Sequence, residues 1–156
     1  MRKFYLFVLV LCFSVASFAG ALPEPDGKAV WDYITKNNYK SWALFPGTTY
    51  LYKGQSPHGA FLTSYINKTA NDSIKDKKFA GGSIIVKENY MPDKKLAAIT
   101  VMYKVDGYNK EGNDWFWGKY SPEGDVQASG KVAPCISCHS AVDDFDNSFL
   151  KANLAK

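Results

Sequence analysis

The residues with the clearest chemistry lie near the carboxyl end of the chain, in the segment Cys135-Ile136-Ser137-Cys138-His139. Two cysteines three positions apart, followed directly by a histidine, have the spacing of a haem c attachment motif. On a helical turn both thiols lie on one face, so each can add to one of the two vinyl groups of a porphyrin. The next residue then supplies a nitrogen to the iron. The motif predicts one covalently bound haem c, with Cys135 and Cys138 as the thioether links and His139 as the axial iron ligand.

Two other uses of these cysteines are open to an exported protein. They could form a disulfide or a thioredoxin-like redox pair, but no βαβ pattern surrounds them, and that use leaves His139 unexplained. They could also bind zinc with His58 as a fourth ligand, although the adjacent Cys138 and His139 would chelate one ion with strain. The sequence therefore favours haem c.

The amino terminus has the pattern of a secretory signal. A basic start at residues 1–3 precedes an apolar run of about 15 residues, shorter than the ~20 needed to cross a bilayer. Small residues at 19–21 then suit a signal peptidase. We expect a cleaved signal peptide over residues 1–21, with an uncleaved anchor as the alternative. Cys12 follows the bulky Leu11 and is expected to leave with the signal, so that Cys135 and Cys138 remain as the only cysteines.

The mature chain, residues 22–156, is expected to be one domain. About 135 residues suffice for one core and are too few for two ordinary domains. The formal charge falls from +4 to +2, because Arg2 and Lys3 leave and no acidic residue does. No basic footprint for nucleic acid remains. We expect an exported, periplasmic protein that binds neither nucleic acid nor, after signal removal, the membrane.

Hydrophobic spacing predicts an α+β fold that is mainly β. A helical pattern runs from Asp26 to Asn37, with Asp26 as its cap. Strand patterns rich in aromatic and β-branched residues follow Gly47. We predict strands at 48–52, 60–67, 83–89, 96–105, 114–120 and 126–129, a turn at 121–124, a short helix or loop at 71–78 and a helical turn at 134–140. This order predicts an antiparallel sheet with a few flanking helices.

The residue that fills the sixth coordination position of the iron decides the function, and the candidates are His58, Met91, Met102 and the lysines. His58 lies in a Pro-His-Gly turn, where a surface or propionate-contacting role is as consistent as ligation. Met102 alternates within an apolar strand and is typical of a core residue, while Met91 precedes Pro92 in a loop. The sequence therefore favours an open distal site.

The order of several segments resembles the cytochrome P-460 family, which includes the cytochromes c′-beta. The resemblance covers nearly all of the mature chain and rests on Pro57-His58-Gly59, Thr63-Ser64-Tyr65-Ile66-Asn67, Gly82-Ser83-Ile84-Ile85-Val86-Lys87-Glu88-Asn89, Thr100-Val101-Met102-Tyr103-Lys104, Asp114-Trp115-Phe116-Trp117 and the Cys135–His139 motif. It implies a largely β fold, a homodimer and a five-coordinate haem. The best-known members oxidise hydroxylamine or bind nitric oxide.

The resemblance implies roles for three positions of this chain. Lys87 is the counterpart of a lysine that hydroxylamine-oxidising members bond to the porphyrin edge, although an ordinary solvated lysine is the alternative. Leu62 and, within a residue or two, Thr100 fall where those members have an arginine and a glutamate. Because Thr100 could transfer protons only poorly, the sequence argues against a hydroxylamine-oxidising oxidoreductase.

The same strands predict an apolar ligand space that admits uncharged diatomic molecules. Its expected lining is Phe61, Leu62, Thr100, Met102 and Phe79, each of which could equally be ordinary core. We therefore expect an exported monohaem c-type cytochrome that binds or redox-converts a small nitrogen oxide and exchanges electrons with a redox partner protein. The alternative is a plain periplasmic electron-transfer cytochrome.

Overall fold

The structure is a computed structural model that describes residues 21–149. Residues 1–20, which make up nearly all of the expected signal peptide, and residues 150–156 lie outside the described residues. The signal peptide and the fate of Cys12 therefore stay predictions. Within the described range, no helix has both the length and the apolar character needed to cross a membrane.

Seven antiparallel strands form one sheet, and three short helices flank it. The elements are α1 (Gly27–Lys36), β1 (Ala43–Leu44), β2 (Tyr52–Lys53), β3 (Phe61–Ile66), α2 (Lys68–Ser73), β4 (Ile84–Tyr90), β5 (Leu96–Lys104), β6 (Trp115–Tyr120), β7 (Val126–Gly130) and α3 (Ala133–His139). The strand order is β1-β3-β4-β5-β6-β7. Both β1 and β2 pair with the same edge of β3, β1 at the end of that strand and β2 at its start. The predicted fold class is confirmed.

Most predicted elements are confirmed within one or two residues. Asp26 caps α1, since its carboxylate accepts a hydrogen bond from the backbone N–H of Ala29 at 3.0 Å. The strand predicted at 48–52 is wrong except for its last residue. Gly47 and Leu51 have φ angles of 76° and 53°, which break the extended backbone, and the strand is Tyr52–Lys53 instead. The two-residue strand β1 was not predicted, because two residues carry no detectable alternation.

Side chains alternate between two faces of the sheet, and each face has its own core. One face packs against α1 through Val30 and Ile34, and Tyr120 donates a hydrogen bond to the Gly27 carbonyl at 2.9 Å. The opposite face carries a cross-strand row that consists of Ser64, Lys87, Thr100, Lys119 and Ala128, with a parallel row of larger apolar residues beside it. α3 follows β7 on this second face.

The α1 face contains one buried carboxylate, Glu88, which is 1% exposed. It accepts hydrogen bonds from the hydroxyls of Tyr90 at 2.6 Å and Tyr39 at 2.9 Å, and Lys40 forms an ion pair with it at 3.0 Å. Burial raises the pKa of Glu88, but these bonds outweigh burial and hold the pKa below its ordinary value. Glu88 is therefore a charged structural anchor on the face away from α3.

Candidate functional site

The short helix α3 brings Cys135, Cys138 and His139 to the wall of one cavity. The helix begins after Val132 with a proline in its first turn, where the missing N–H costs no hydrogen bond. Residues three and four positions apart lie on the same helix face. Both cysteines are free thiols, so the structure contains no disulfide between them. Burial raises the pKa of Cys135, which favours its protonated thiol.

The cavity has a volume of about 730 Å³ and lies between α3 and the second face of the sheet. This volume falls within the range of sites that hold cofactors. Its walls are mostly apolar, and Lys87 and Lys119 are the charged residues among them, with no aspartate or glutamate among the described lining residues. The cavity can thus enclose a large apolar molecule and offers it cationic groups at the sheet.

His139 is held in one tautomer. Its Nδ1 lies 2.7 Å from the backbone carbonyl oxygen of Asn147, and because a carbonyl only accepts, Nδ1 carries the proton. Nε2 therefore keeps its lone pair. The ring is 6% exposed and contacts Trp117 and Phe149, with ring centroids 4.6 and 5.1 Å away. Burial lowers the pKa of His139 to about 4, so the imidazole is neutral at pH 7 and can ligate a metal.

The carbonyl that fixes His139 belongs to a rigid loop. Asp146 and Asn147 have φ angles of 55° and 58°, a conformation that needs support from its surroundings. The Asp146 carboxylate pairs with buried Lys104 at 2.6 Å, and its backbone carbonyl accepts from the Trp115 indole at 2.8 Å. The Asn147 side chain accepts from Asn113 at 2.7 Å. This network ties the loop to β5 and β6 and so orients the His139 imidazole.

His58, which the sequence placed in a turn, also lines the cavity. Its Nδ1 lies 2.9 Å from the side-chain oxygen of Asn89. Asn89 in turn donates from Nδ2 to the backbone carbonyl of Lys87 at 2.9 Å and to the hydroxyl of Thr100 at 3.2 Å. The imidazole of His58 and that of His139 are nearly perpendicular, with centroids 6.3 Å apart.

Lys87 lies on β4 between Ser64 and Thr100 and lines the same cavity. Burial lowers its pKa to about 8. None of the ion pairs between described side chains involves Lys87. Its amine is therefore closer to the neutral, nucleophilic form than that of an ordinary surface lysine.

The other predicted pocket residues divide into two groups. Thr100 and Met102 line the cavity. Leu62 shares the sheet face with them but is covered by Gly54, and Phe61 points to the opposite face. Neither is among the described lining residues. Phe79 packs in an edge-to-face contact against the indole of Trp115, with centroids 5.5 Å apart, and does not line the cavity either.

Sequence reasoning missed three residues of this site. Asn89 lies two positions after Lys87 on the same strand and therefore on the same face of the sheet, a signal that places it beside the cavity. Trp117 was given no site role, yet it lines the cavity, and its indole N–H has no hydrogen-bond partner in the described part of the chain. Asn147 acts through its backbone and leaves no signal in the sequence.

The fold and the site define a haem-binding class of protein, in which a cysteine pair and a histidine converge on an apolar cavity beside an antiparallel sheet. The family model for Cytochrome P460 matches residues 36–150. The chain therefore belongs to the cytochrome P460 family and is a haem protein. No protein in the curated collection matches it significantly.

The residues present fit this cofactor. Two unpaired thiols and one neutral imidazole with a free Nε2 are the donor set that a haem c requires. Within residues 21–149, no three His, Cys, Asp or Glu side chains are grouped to hold a metal ion by themselves.

Proposed function

We propose that the protein is an exported monohaem c-type cytochrome that binds small nitrogen oxides, nitric oxide above all. Cys135 and Cys138 would hold the haem through thioether bonds, and His139 would be its proximal ligand. Each S–H adds across one vinyl group, so attachment consumes no oxidant. The observation that carries the proposal is the convergence of these three residues on one apolar cavity of cofactor size.

The bound haem would supply an iron able to bind a diatomic ligand and to exchange one electron. The protein's own part is to orient His139 and to shield the ligand space from water. The Asn147 carbonyl fixes His139 with Nε2 free, and the apolar walls exclude water from the ligand space. An uncharged diatomic enters such a space at lower desolvation cost than a charged substrate. These features support nitric oxide as the ligand.

Turnover of hydroxylamine has less support than binding of nitric oxide. Proton transfer needs a positioned acid or base within hydrogen-bond reach of the substrate, and the family resemblance implies a glutamate in that role. No carboxylate lines the described cavity, and the Thr100 hydroxyl already accepts a hydrogen bond from Asn89. Leu62, at the position expected for an arginine, does not reach the cavity. We infer a binding protein or an electron carrier rather than a hydroxylamine oxidase.

The test begins with the full chain, expressed together with a haem c maturation system. We expect one haem per chain that survives denaturation and a ferrous form that binds nitric oxide. Replacing both cysteines by serine should abolish covalent attachment, while Ser137→Ala, an exposed change within the same helix, should leave it intact. His139→Ala should retain the covalent haem but lose the proximal ligand. A wild-type protein without covalent haem would refute the proposal.

A plain electron carrier is the second candidate, and the position of His58 favours it. An imidazole 6.3 Å from His139 could close the iron to external ligands. A ferrous protein that remains six-coordinate and fails to bind nitric oxide would establish this alternative. A steady-state hydroxylamine assay with an artificial electron acceptor, for which we expect no turnover, tests the enzyme.

Export, a redox partner and a homodimer complete the proposal. Export is supported by the signal pattern of residues 1–21 and by the haem motif, because haem c is attached outside the cytoplasm. Signal-dependent recovery of the haem protein from the periplasm tests it. Homodimerisation is implied by the family, and light scattering of the holoprotein tests it.

A further inference from the structure

We propose that His58 is the second axial ligand of the haem iron, so that the sixth position is closed until a small ligand displaces the imidazole. This inference rests on the proposed haem site at Cys135, Cys138 and His139. It replaces the open distal site favoured by the sequence with a histidine gate. The family resemblance implies five coordination, so this ligation would set the chain apart.

The first argument is the placement of the histidines. The chain contains two histidines, His58 and His139, and both line the same cavity. A metal-bound imidazole nitrogen lies about 2.0–2.1 Å from the ion and roughly 1.2 Å from its own ring centre, so two imidazoles on opposite sides of one ion have centres slightly over ~6 Å apart. The observed centroid separation is 6.3 Å. The two rings therefore have the spacing of a shared iron ligand pair.

The second argument is the tautomer of His58. The Asn89 Nδ2 donates to the backbone carbonyls of Lys87 at 2.9 Å and Ala98 at 3.3 Å, which fixes the amide with Oδ1 toward the imidazole. Because Oδ1 only accepts, the His58 Nδ1 carries the proton and Nε2 keeps the lone pair. His139 is held in the same way by a carbonyl. A hydrogen bond at Nδ1 that frees Nε2 is the usual support of a ligating histidine.

The third argument is the loop that carries His58. Its base is closed by a hydrogen bond from the Gly54 N–H to the Ala60 carbonyl at 2.9 Å, and its tip by one from the His58 N–H to the Gln55 carbonyl at 2.9 Å. A Cβ on Gly59 would lie 2.5 Å from the backbone N and O of Tyr90, so the loop can approach the end of β4 only with glycine there. The approach places His58 beside its Asn89 anchor. His58 is thus held at the cavity by a closed loop that packs against the end of β4.

The experiment compares the covalently haem-loaded wild type with His58→Ala by absorption and electron paramagnetic resonance spectroscopy. We expect a low-spin, six-coordinate wild type and a high-spin variant, in which added imidazole restores the low-spin spectrum. Gln55→Ala, an exposed change in the same loop, is the control and should resemble the wild type. His58→Met should stay low-spin with the near-infrared band of methionine ligation.

Carbon monoxide binding to the ferrous protein provides a second readout. If the sixth position is closed in about 90% of the molecules, the apparent affinity of the wild type is lowered about tenfold, and His58→Ala recovers it. The wild-type binding rate should also level off at high carbon monoxide concentration, because departure of the imidazole becomes limiting. The variant rate should rise linearly.

The outcomes separate this inference from the proposed function. A wild type that carries covalent haem but is high-spin overturns the inference and leaves the haem site standing. So does a low-spin wild type that His58→Ala leaves unchanged, or one that only Lys87→Ala or Met91→Leu converts. Absence of covalent haem in the wild type refutes the proposed function itself. Should His58→Ala fail to fold, the wild-type spin state and the His58→Met spectrum decide.

Discussion

Asp146→Asn should destabilise the fold strongly, because it removes the charge from one partner of a buried ion pair. The Asp146 carboxylate and the Lys104 ammonium are 4% and 6% exposed and lie 2.6 Å apart. The same carboxylate accepts a hydrogen bond from the Phe79 N–H at 2.7 Å, which an asparagine oxygen can still accept. The change therefore leaves Lys104 as a buried ammonium without its counter-charge. Breaking such a pair costs about 3–5 kcal/mol of unfolding free energy.

Thermal unfolding of the holoprotein, followed by circular dichroism, measures this loss. For a domain of this size, about 3–5 kcal/mol corresponds to a decrease in Tm of roughly 10–20 °C. Asp32→Asn is the matched control, since Asp32 pairs with Lys28 on the exposed surface of α1. An exposed pair at this spacing is worth about 0.3–0.5 kcal/mol, so the control should barely move Tm.

A double variant provides the sharper test. Adding Lys104→Met to Asp146→Asn removes both charges, while the asparagine still tolerates the φ of 55° and still accepts from the Phe79 N–H. A buried pair whose two charges are both removed is often neutral in stability. We expect the double variant to recover most of the loss seen in Asp146→Asn. Equal destabilisation by the single and double variants would refute the reasoning and assign the loss to the loop backbone instead.

Three further outcomes are expected. If Lys87 is bonded to the porphyrin, as the family resemblance implies, the wild type shows a strongly red-shifted ferrous Soret band that Lys87→Ala returns to an ordinary haem c position; an ordinary wild-type band removes the bond. Glu88→Gln should cost about 1.5–3 kcal/mol at pH 7, the value of a hydrogen bond to a charged group. Because the pKa of Glu88 is lowered in the folded state, its contribution to the free energy of unfolding is present above its unfolded pKa, near 4.3, and is lost as pH falls through the folded value. Urea unfolding at pH 7 and pH 3 should therefore show that the free energies of unfolding of the wild type and Glu88→Gln converge in acid. Gly59→Ala should weaken the approach of its loop to Tyr90, lower Tm through overpacking worth about 1–3 kcal/mol and reduce the low-spin fraction of the holoprotein.

Some parts of the site are local, and the sequence alone predicts them. Cys135, Cys138 and His139 lie within one helical turn, so their spacing fixes their common face before any tertiary contact forms. Alternation along a strand likewise places Lys87 and Asn89 on one face of the sheet. The mainly antiparallel fold follows from the same alternation and was confirmed by the strand register. Export is read from residues 1–21 and stays a prediction.

Other parts depend on contacts between distant segments, and only the tertiary structure decided them. His58 lies 31 residues from Asn89, and no local pattern reports that the loop of one and the strand of the other meet. Leu62 shares a sheet face with the cavity residues, yet it lies against Gly54 and does not line the cavity, which strand alternation cannot reveal. Asn147 contributes a carbonyl that every residue type possesses, and its position comes from the buried network around Asp146. The sequence thus determined how Cys135, Cys138 and His139 are grouped in the proposed haem site, because these residues lie within about one turn of helix. The opposing histidine was decided by the packing of a loop against the end of β4, because only chain folding brings the two histidines within 6.3 Å of each other.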